Sequence, residues 1–304
     1  MKITFLGTGA AEMYPAIWCQ CENCNKALKE GGRNIRGNSA ALIDDDIMLD
    51  MNTTCFMVAA NNGISLASVK HILVTHPHRD HLAPEMLKWR RMKPGQDQLP
   101  FEPQHDGWSA RYTHLPEVTV YGSDSVWMAM NQVNTNLFSF GGYDTAAHFE
   151  RIEDGAEVQC DDFSFIPVRA NHKKEHAHNF ILIRNGKTIL YAVDTGGYSE
   201  EMLTLITSKK YDCVIMEGTF GLGFYDKKLE GQPDKEYLTG KGHMNLQKNL
   251  AMLRYLTKMG CWKNEPNFYI THLCPHFTLP HDDYQAMLEK HGIKVAYDGL
   301  QVNL

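Results

Sequence analysis

The stretch Val74–Pro84, VTHPHRDHLAP, places three histidines and one aspartate within six positions, at His76, His78, Asp80 and His81. It follows the apolar, β-branched run of Ile72, Leu73 and Val74, which reads as the end of a buried strand. Core packing gains nothing from such a cluster of imidazoles and a carboxylate, whereas metal binding does. While the chain is extended, His76 and His78, two apart, project to the same side. Imidazole suits zinc, manganese or iron, and carboxylate tilts the preference toward harder ions. Two neighbouring cations fit this donor set better than one.

Further donors close other strand-like runs. "PVRANH" ends in His172, "LYAVDTG" carries Asp194 and "FYITH" ends in His272. An apolar strand followed by a polar ligand is the pattern of a site built along one edge of a sheet. "NHKKEHAHNF" adds His176 and His178, either of which is an alternative to His172.

Around these motifs, short apolar runs recur: "KITFLG", "SAALIDDDIMLDM", "VTVYG", "DFSFIPVRA", "NFILIRNGKTILYAVDTG", "CVIMEG", "NFYITH" and "IKVAY". They read as strands, with a hairpin turn at "RNGKT" and a second at Asp44–Asp46. Helical periodicity marks "SEEMLTLITSK", "NLQKNLAMLRYLTKMG" and "HDDYQAMLEKHG". The mixture predicts an α/β class with covered sheets in one domain over residues 1–304. Residues 88–116 lack clear periodicity and read as a lid-like insertion.

The chain has 304 residues, 43% of them hydrophobic, enough for a sizeable core. Its formal charge of -6 gives no reason to expect non-specific nucleic-acid or membrane binding. No run approaches the roughly 20 apolar residues that span a bilayer, and Ile3–Leu6 is too short for a signal-peptide core. Eight cysteines in this length are not a disulfide scaffold, so a reducing cytoplasm is the expected setting. Cys19, Cys21 and Cys24 are crowded into a Cys-rich loop at about 15–36 and offer three thiolates to a structural zinc, which needs a fourth ligand.

The order HxHxDH (His76, His78, Asp80, His81), His172, Asp194, His272, with "FLGTGAAEMYP" and "IMLDMN" before it, resembles the metallo-β-lactamase-fold hydrolases over almost the whole chain. The resemblance implies an αββα sandwich with a binuclear site at one edge of the paired sheets. His76, His78 and His172 would hold one divalent ion, Asp80, His81 and His272 the second, and Asp194 would bridge them. The N-terminal CxCxxC is similar to that of the phosphonate-pathway cyclic-ribose phosphodiesterase and the pyrroloquinoline-quinone biosynthesis protein B group. In those relatives a histidine shortly after the last catalytic histidine completes the zinc site. In "THLCPHFTLPH" the candidates are His276, Cys274 and His281, with His276 preferred.

Two metals roughly 3.5 to 4 Å apart can hold a bridging hydroxide and stabilise both oxygens of an in-line displacement. A small, possibly cyclic phosphodiester is therefore the expected substrate, with Asp80 and His243 as the catalytic residues. By resemblance to the phosphodiesterase branch, His243 in "TGKGHMNLQ" assists the leaving group, and Glu217–Gly221, "EGTFG", lines the site. Lys88, Arg90, Arg91 and Lys93 offer a basic patch to steer a phosphate, and Trp108 and Tyr112 offer rings to stack on a base or sugar. The alternatives are lactone or thioester hydrolysis and a non-hydrolytic role in cofactor biosynthesis. RNA 3′-end processing is disfavoured by the absence of a Gly/Pro/Lys-rich arm, and β-lactam hydrolysis is not expected. The expected partner is a small molecule, with no stable nucleic-acid partner, no membrane and a homodimer as the only assembly in view.

Overall fold

Within Ile47–Leu49, Ile47 and Leu49 face one side of a strand and Met48 the other, and all three are buried. Strands of this kind need cover on both faces, and the computed structural model shows what supplies it. It describes residues 1–90, 115–136, 146–173 and 176–304.

Among these residues fourteen strands form two sheets. They are β1 (Lys2–Gly7), β2 (Ala40–Ile43), β3 (Ile47–Leu49), β4 (His71–Leu73), β5 (Val118–Gly122), β6 (Ala147–Arg151) and β7 (Val158–Gln159), then β8 (Phe163–Arg169), β9 (His178–Arg184), β10 (Lys187–Ala192), β11 (Cys213–Glu217), β12 (Phe268–Thr271), β13 (Ile293–Val295) and β14 (Gln301–Asn303). One sheet has the order β14-β1-β2-β3-β4-β5-β6, the other β13-β12-β11-β10-β9-β8-β7. The helices are α1 (Glu22–Glu30), α2 (Thr53–Asn61), α3 (Asp124–Asn136), α4 (Glu200–Thr207), α5 (Asp234–Tyr237), α6 (Leu246–Lys258) and α7 (His281–Glu289).

Strand alternation sorts the side chains into layers. Phe5, Ile43, Ile47 and Leu49 of the first sheet meet Phe165, Phe180, Ile189, Tyr191 and Ile215 of the second in the central core. Leu190, Val214 and Met216 point the other way, onto Leu203, Met252, Leu256 and Leu288 of α4, α6 and α7. Met48, Ile72 and Val120 pack on Cys55 and Ala59 of α2 and on Val126 and Met130 of α3. The result is the αββα sandwich in one domain. Both expected hairpins form, with positive φ at Asp44 (51°), Asp45 (84°), Asn185 (51°) and Gly186 (70°) turning β2 into β3 and β9 into β10.

Strand direction places the site. β3, β4, β5 and β6 run parallel, as do β10, β11, β12 and β13. β8 and β10 each lie antiparallel to β9 and so point the same way. The segments after β4, β8, β10, β11 and β12 therefore leave along one edge, where open α/β sheets bind ligands.

The lid-like insertion falls mostly outside the described residues, including Arg91, Lys93, Trp108, Tyr112 and the side chain of Lys88. Arg90 departs from the expected basic patch. Its Nε donates to Pro116 O (3.1 Å) and its Nη2 to Val69 O (2.8 Å), so it clamps backbone at the base of the insertion. Among the described residues, no helix is long and apolar enough to cross a membrane.

Candidate metal centre

Past Leu73 the chain runs through Val74 and Thr75 to His76, and the following loop carries His78, Asp80 and His81. His172 lies three residues beyond β8, Asp194 two beyond β10, and His272 directly after β12. Asp194 (φ 57°) and His272 (φ 56°) adopt left-handed backbone, which bends each strand end into the cleft. Such conformations in non-glycine residues cost about 1–3 kcal/mol and concentrate at functional sites.

Two sets of donors converge there. His76, His78, His172 and Asp194 bring ligand atoms within 4.8 Å of one another, and so do Asp80, His81, Asp194 and His272. Asp194 belongs to both, and also to an overlapping third set with Glu217, His243 and His272. Its Oδ2 lies 3.2 Å from Nε2 of His76 and of His81, and its Oδ1 lies 3.3 Å from His272 Nε2. Asp80 Oδ2 is 3.2 Å from His81 Nε2 and 3.5 Å from His272 Nε2. His172 Nε2 stands 3.7 Å from Asp194 Oδ2.

The ring nitrogens turned away from this centre are satisfied. His81 Nδ1 meets Asp50 Oδ2 at 2.8 Å, His76 Nδ1 meets Thr75 Oγ1 at 3.0 Å, and His272 Nδ1 meets Thr219 Oγ1 at 2.8 Å. Toward the centre, His81 Nε2, His172 Nε2, His272 Nε2 and Asp194 Oδ1 are buried and crowd one another at 3.2 to 3.7 Å without making a well-directed hydrogen bond. An unsatisfied buried polar atom costs about 1–3 kcal/mol, so four around one centre fit cations that complete them. The outward partners fix tautomer and ring orientation as metal-site histidines require.

Charge points the same way. Burial would raise Asp194, but His272 and His81 hold its carboxyl well below the usual range. Asp80 is held down in the same manner by His81 and His272 against its burial. Burial and the His81 charge push His76 down to about 3, leaving a neutral imidazole able to ligate. Against its burial, Asp80, Asp50 and Asp194 raise His81, so without a cation that ring holds a proton that ligation would displace.

A fourth carboxylate supports a different residue. Glu217, the last residue of β11, is fully buried and accepts hydrogen bonds from Thr195 N and Thr219 Oγ1. Its Oε2 lies 3.0 Å from His243 Nδ1, which is also 3.3 Å from Asp194 Oδ1. Burial opposes charge on His243, yet Glu217 and Asp194 raise it to about 10. Lys248 Nζ donates to Gly196 O (2.9 Å) and His243 O (3.4 Å), tying the His243 loop to the one after Asp194. Sequence reading singled out neither Asp50 nor the Glu217 carboxylate as a participant. Both end apolar strands, in "IMLD" and "CVIME", the signal used for the other donors.

Cys19, Cys21, Cys24 and His276 form a separate donor set, again within 4.8 Å of one another, with His276 Nε2 3.2 Å from Cys19 Sγ. The other two candidates for the fourth position lie outside this set, although Cys274 Sγ is 3.6 Å from His276 Nδ1. Cys274 Sγ donates to Glu12 Oε1 (2.6 Å), and His281 Nδ1 lies 3.0 Å from Arg36 Nη2. Asn23 Nδ2, at the start of α1, donates to Pro275 O (2.9 Å) and Thr278 O (2.7 Å), a second tie between the Cys loop and the loop after His272. His176 and His178 also turn away from the cleft, placing their Nε2 atoms 2.8 and 2.6 Å from Asp154 Oδ1. They do not take the place of His172.

A sequence search among curated proteins finds no match. Solved structures match the fold from end to end. A diphosphatase from the PhnP family superposes with a TM-score of 0.70 at 17% identity, covering 100% of this chain and 97% of that one. Zn(2+)-bound PqqB from Methylobacterium extorquens gives 0.70 at 16% identity, covering 100% of both chains. Human tRNase Z, short form, gives 0.59 at 17%, covering 100% and 99%. Residues 53–272 match the model of the beta-lactamase superfamily domain, a span that includes every histidine and aspartate of the two shared donor sets. The chain belongs to the beta-lactamase superfamily.

Proposed function

We propose that the protein is a binuclear metal-dependent hydrolase acting on a small phosphodiester. One observation carries this reading: Asp194 joins two donor sets and also lies 3.3 Å from His243, a histidine seated on its own buried carboxylate. Bound in the two sets, a pair of divalent cations such as zinc, manganese or iron would supply Lewis acidity to the attacking and leaving oxygens. The chain's own residues supply the rest.

Glu217 and Asp194 engage Nδ1 of His243 and leave Nε2 to carry the transferable proton. An alkoxide expelled from phosphorus is a strong base, and a positioned acid lowers that barrier by typically 10²–10⁴ in rate. Asp80 and Asp194 stay ionised in the cleft, so neither competes for that proton. A thiolate leaves without such help, so a protonated His243 favours a phosphodiester over a thioester. The Cys19, Cys21, Cys24 and His276 set suits a structural zinc, and eight free thiols suit a reducing cytoplasm.

The test is a rate panel on protein loaded with manganese or zinc, comparing methyl 4-nitrophenyl phosphate with a simple lactone and a thioester. Diester turnover that needs metal is the expected result. Acyl turnover alone would overturn the reading.

A further inference from the structure

Beside His243 stands a wall of rings that the proposed chemistry does not use. Phe220 packs its ring 5.1 Å from that of His243. Phe224 lies 4.4 Å from Phe220, and Phe277 closes the group at 5.0 Å from Phe224 and 5.6 Å from Phe220. Phe220 is half-buried, whereas Phe224 is 63% exposed. A large apolar ring left in water one ring away from His243 needs an explanation.

The loop holds that ring out by construction. Leu222 N donates to Phe277 O (2.7 Å), Gly223 N to Phe220 O (2.6 Å), Leu246 N to Gly221 O (2.7 Å) and Asn245 Nδ2 to Phe224 O (2.9 Å). A Cβ at Gly221 would stand 2.2 Å from Phe277 O, and one at Gly223 2.6 Å from the Phe277 ring, so glycine lets the loop lie against Phe277. Phe224 itself sits at φ 52°, in the left-handed region where bulky residues are rare. Strain of this kind persists where the surroundings impose it, and here it presents an aromatic face.

Resting on the phosphodiesterase reading, we infer that Phe220, Phe224 and Phe277 form a stacking wall for a planar heteroaromatic ring on the leaving side of the substrate, which makes that substrate a nucleoside phosphodiester. Phe220 touches His243, which borders the shared carboxylate of Asp194, and Phe224 lies one ring farther out. A nucleobase stands in the same relation to its phosphate, one sugar away. The three rings offer π-faces and no hydrogen-bond donors, so they select planarity and tolerate different bases.

Wild type, Phe224→Ala and Phe224→Trp, all metal-loaded, are compared on adenosine 2′,3′-cyclic phosphate and on the 2′,3′-cyclic phosphate of methyl riboside, which has the same diester and no base. Wild type is expected to favour the base-bearing substrate at least tenfold in kcat/KM, mainly through KM. Phe224→Ala should shrink that preference at least fivefold, and Phe224→Trp should keep it. A wild-type ratio near one overturns the wall and leaves the phosphodiesterase reading standing. Turnover of neither diester counts against that reading, and equilibrium dialysis then decides the wall by itself. AMP bound more tightly than ribose 5-phosphate, with the difference lost in Phe224→Ala, supports it, and equal binding overturns it. A dimer that Phe224→Ala dissociates while the ratio stays unchanged assigns the rings to contact between copies and also overturns it.

Discussion

Glu217 Oε2 lies 3.0 Å from His243 Nδ1, while the same nitrogen is 3.3 Å from Asp194 Oδ1. The carboxylate common to both donor sets thus lies beside the proposed proton donor, and Glu217 holds that ring in place. Glu217→Gln keeps the size of the side chain and removes its charge. The expected outcome is a fall in kcat of about 10- to 100-fold with the metal content of the protein unchanged, as for loss of an outer-shell partner. Element analysis alongside steady-state kinetics checks it. Loss of metal in parallel with kcat would make Glu217 a ligand instead.

Asp50 acts one shell behind His81. Its Oδ2 meets His81 Nδ1 at 2.8 Å while Oδ1 accepts from Thr75 N (2.8 Å) and Thr75 Oγ1 (2.9 Å). Asp50→Asn should weaken metal retention about 10- to 100-fold. Chelator competition measures the loss, and His76, which leans on Thr75 rather than on Asp50, should be affected only indirectly.

The Cys loop should behave as a clip on the catalytic edge. Cys21→Ser removes one of three thiolates, and with it one zinc per chain in element analysis. Because His276 is four residues from His272, the melting temperature and the turnover rate should fall together. Asn23 still ties α1 to Pro275 and Thr278, so the fall should be partial. Zinc loss with unchanged turnover would separate the clip from the catalytic edge.

Away from the cleft, Asp212 makes stability depend on pH. Its carboxylate accepts from Thr188 N (2.8 Å), Lys263 Nζ (2.7 Å) and Lys187 Nζ (3.3 Å). Burial works against the charge, but these partners hold the carboxyl below its usual value. The folded pKa is depressed, so the contribution is present above the unfolded pKa near 4 and is lost as pH falls through the folded value. Asp212→Asn should cost about 1–2 kcal/mol at neutral pH, and the difference from wild type should shrink in acid. Urea unfolding at pH 7 and pH 3 checks both statements.

How much of this was legible in the sequence follows from where each signal lies. The buried strands β8 to β12 announce themselves as apolar runs, and α4, α6 and α7 by their amphipathic period. β6, β7 and β14, sequences AHFER, VQ and QVN, are short or polar strands at sheet edges, and pairing rather than composition makes them strands. α2 was hidden in "TTCFMVAAN", where β-branched residues and asparagine argue against a helix, yet the Asn52 side chain caps Thr54 N and Cys55 N. Within the site, His76 to His81 stood out because four donors crowd one short stretch. Asp50 and Glu217 are single carboxylates whose roles depend on which strand end lies beside which, and only the parallel order of the strands supplies that. Likewise, spacing left His276, Cys274 and His281 open, and the direction of each side chain separates them.

The most direct measurement compares metal-loaded wild type with Asp80→Ala on bis(4-nitrophenyl) phosphate and on 4-nitrophenyl phosphate. Of the two sets that Asp194 shares with the HxHxDH residues, Asp80 belongs to one and Asp194 to both. A paired-metal phosphodiesterase should cleave the diester well above the monoester, and Asp80→Ala should lose about one metal per chain together with nearly all diester turnover. Full diester turnover in Asp80→Ala, or a wild type that cleaves neither ester with both donor sets filled, would show that the paired site is not a phosphodiesterase centre.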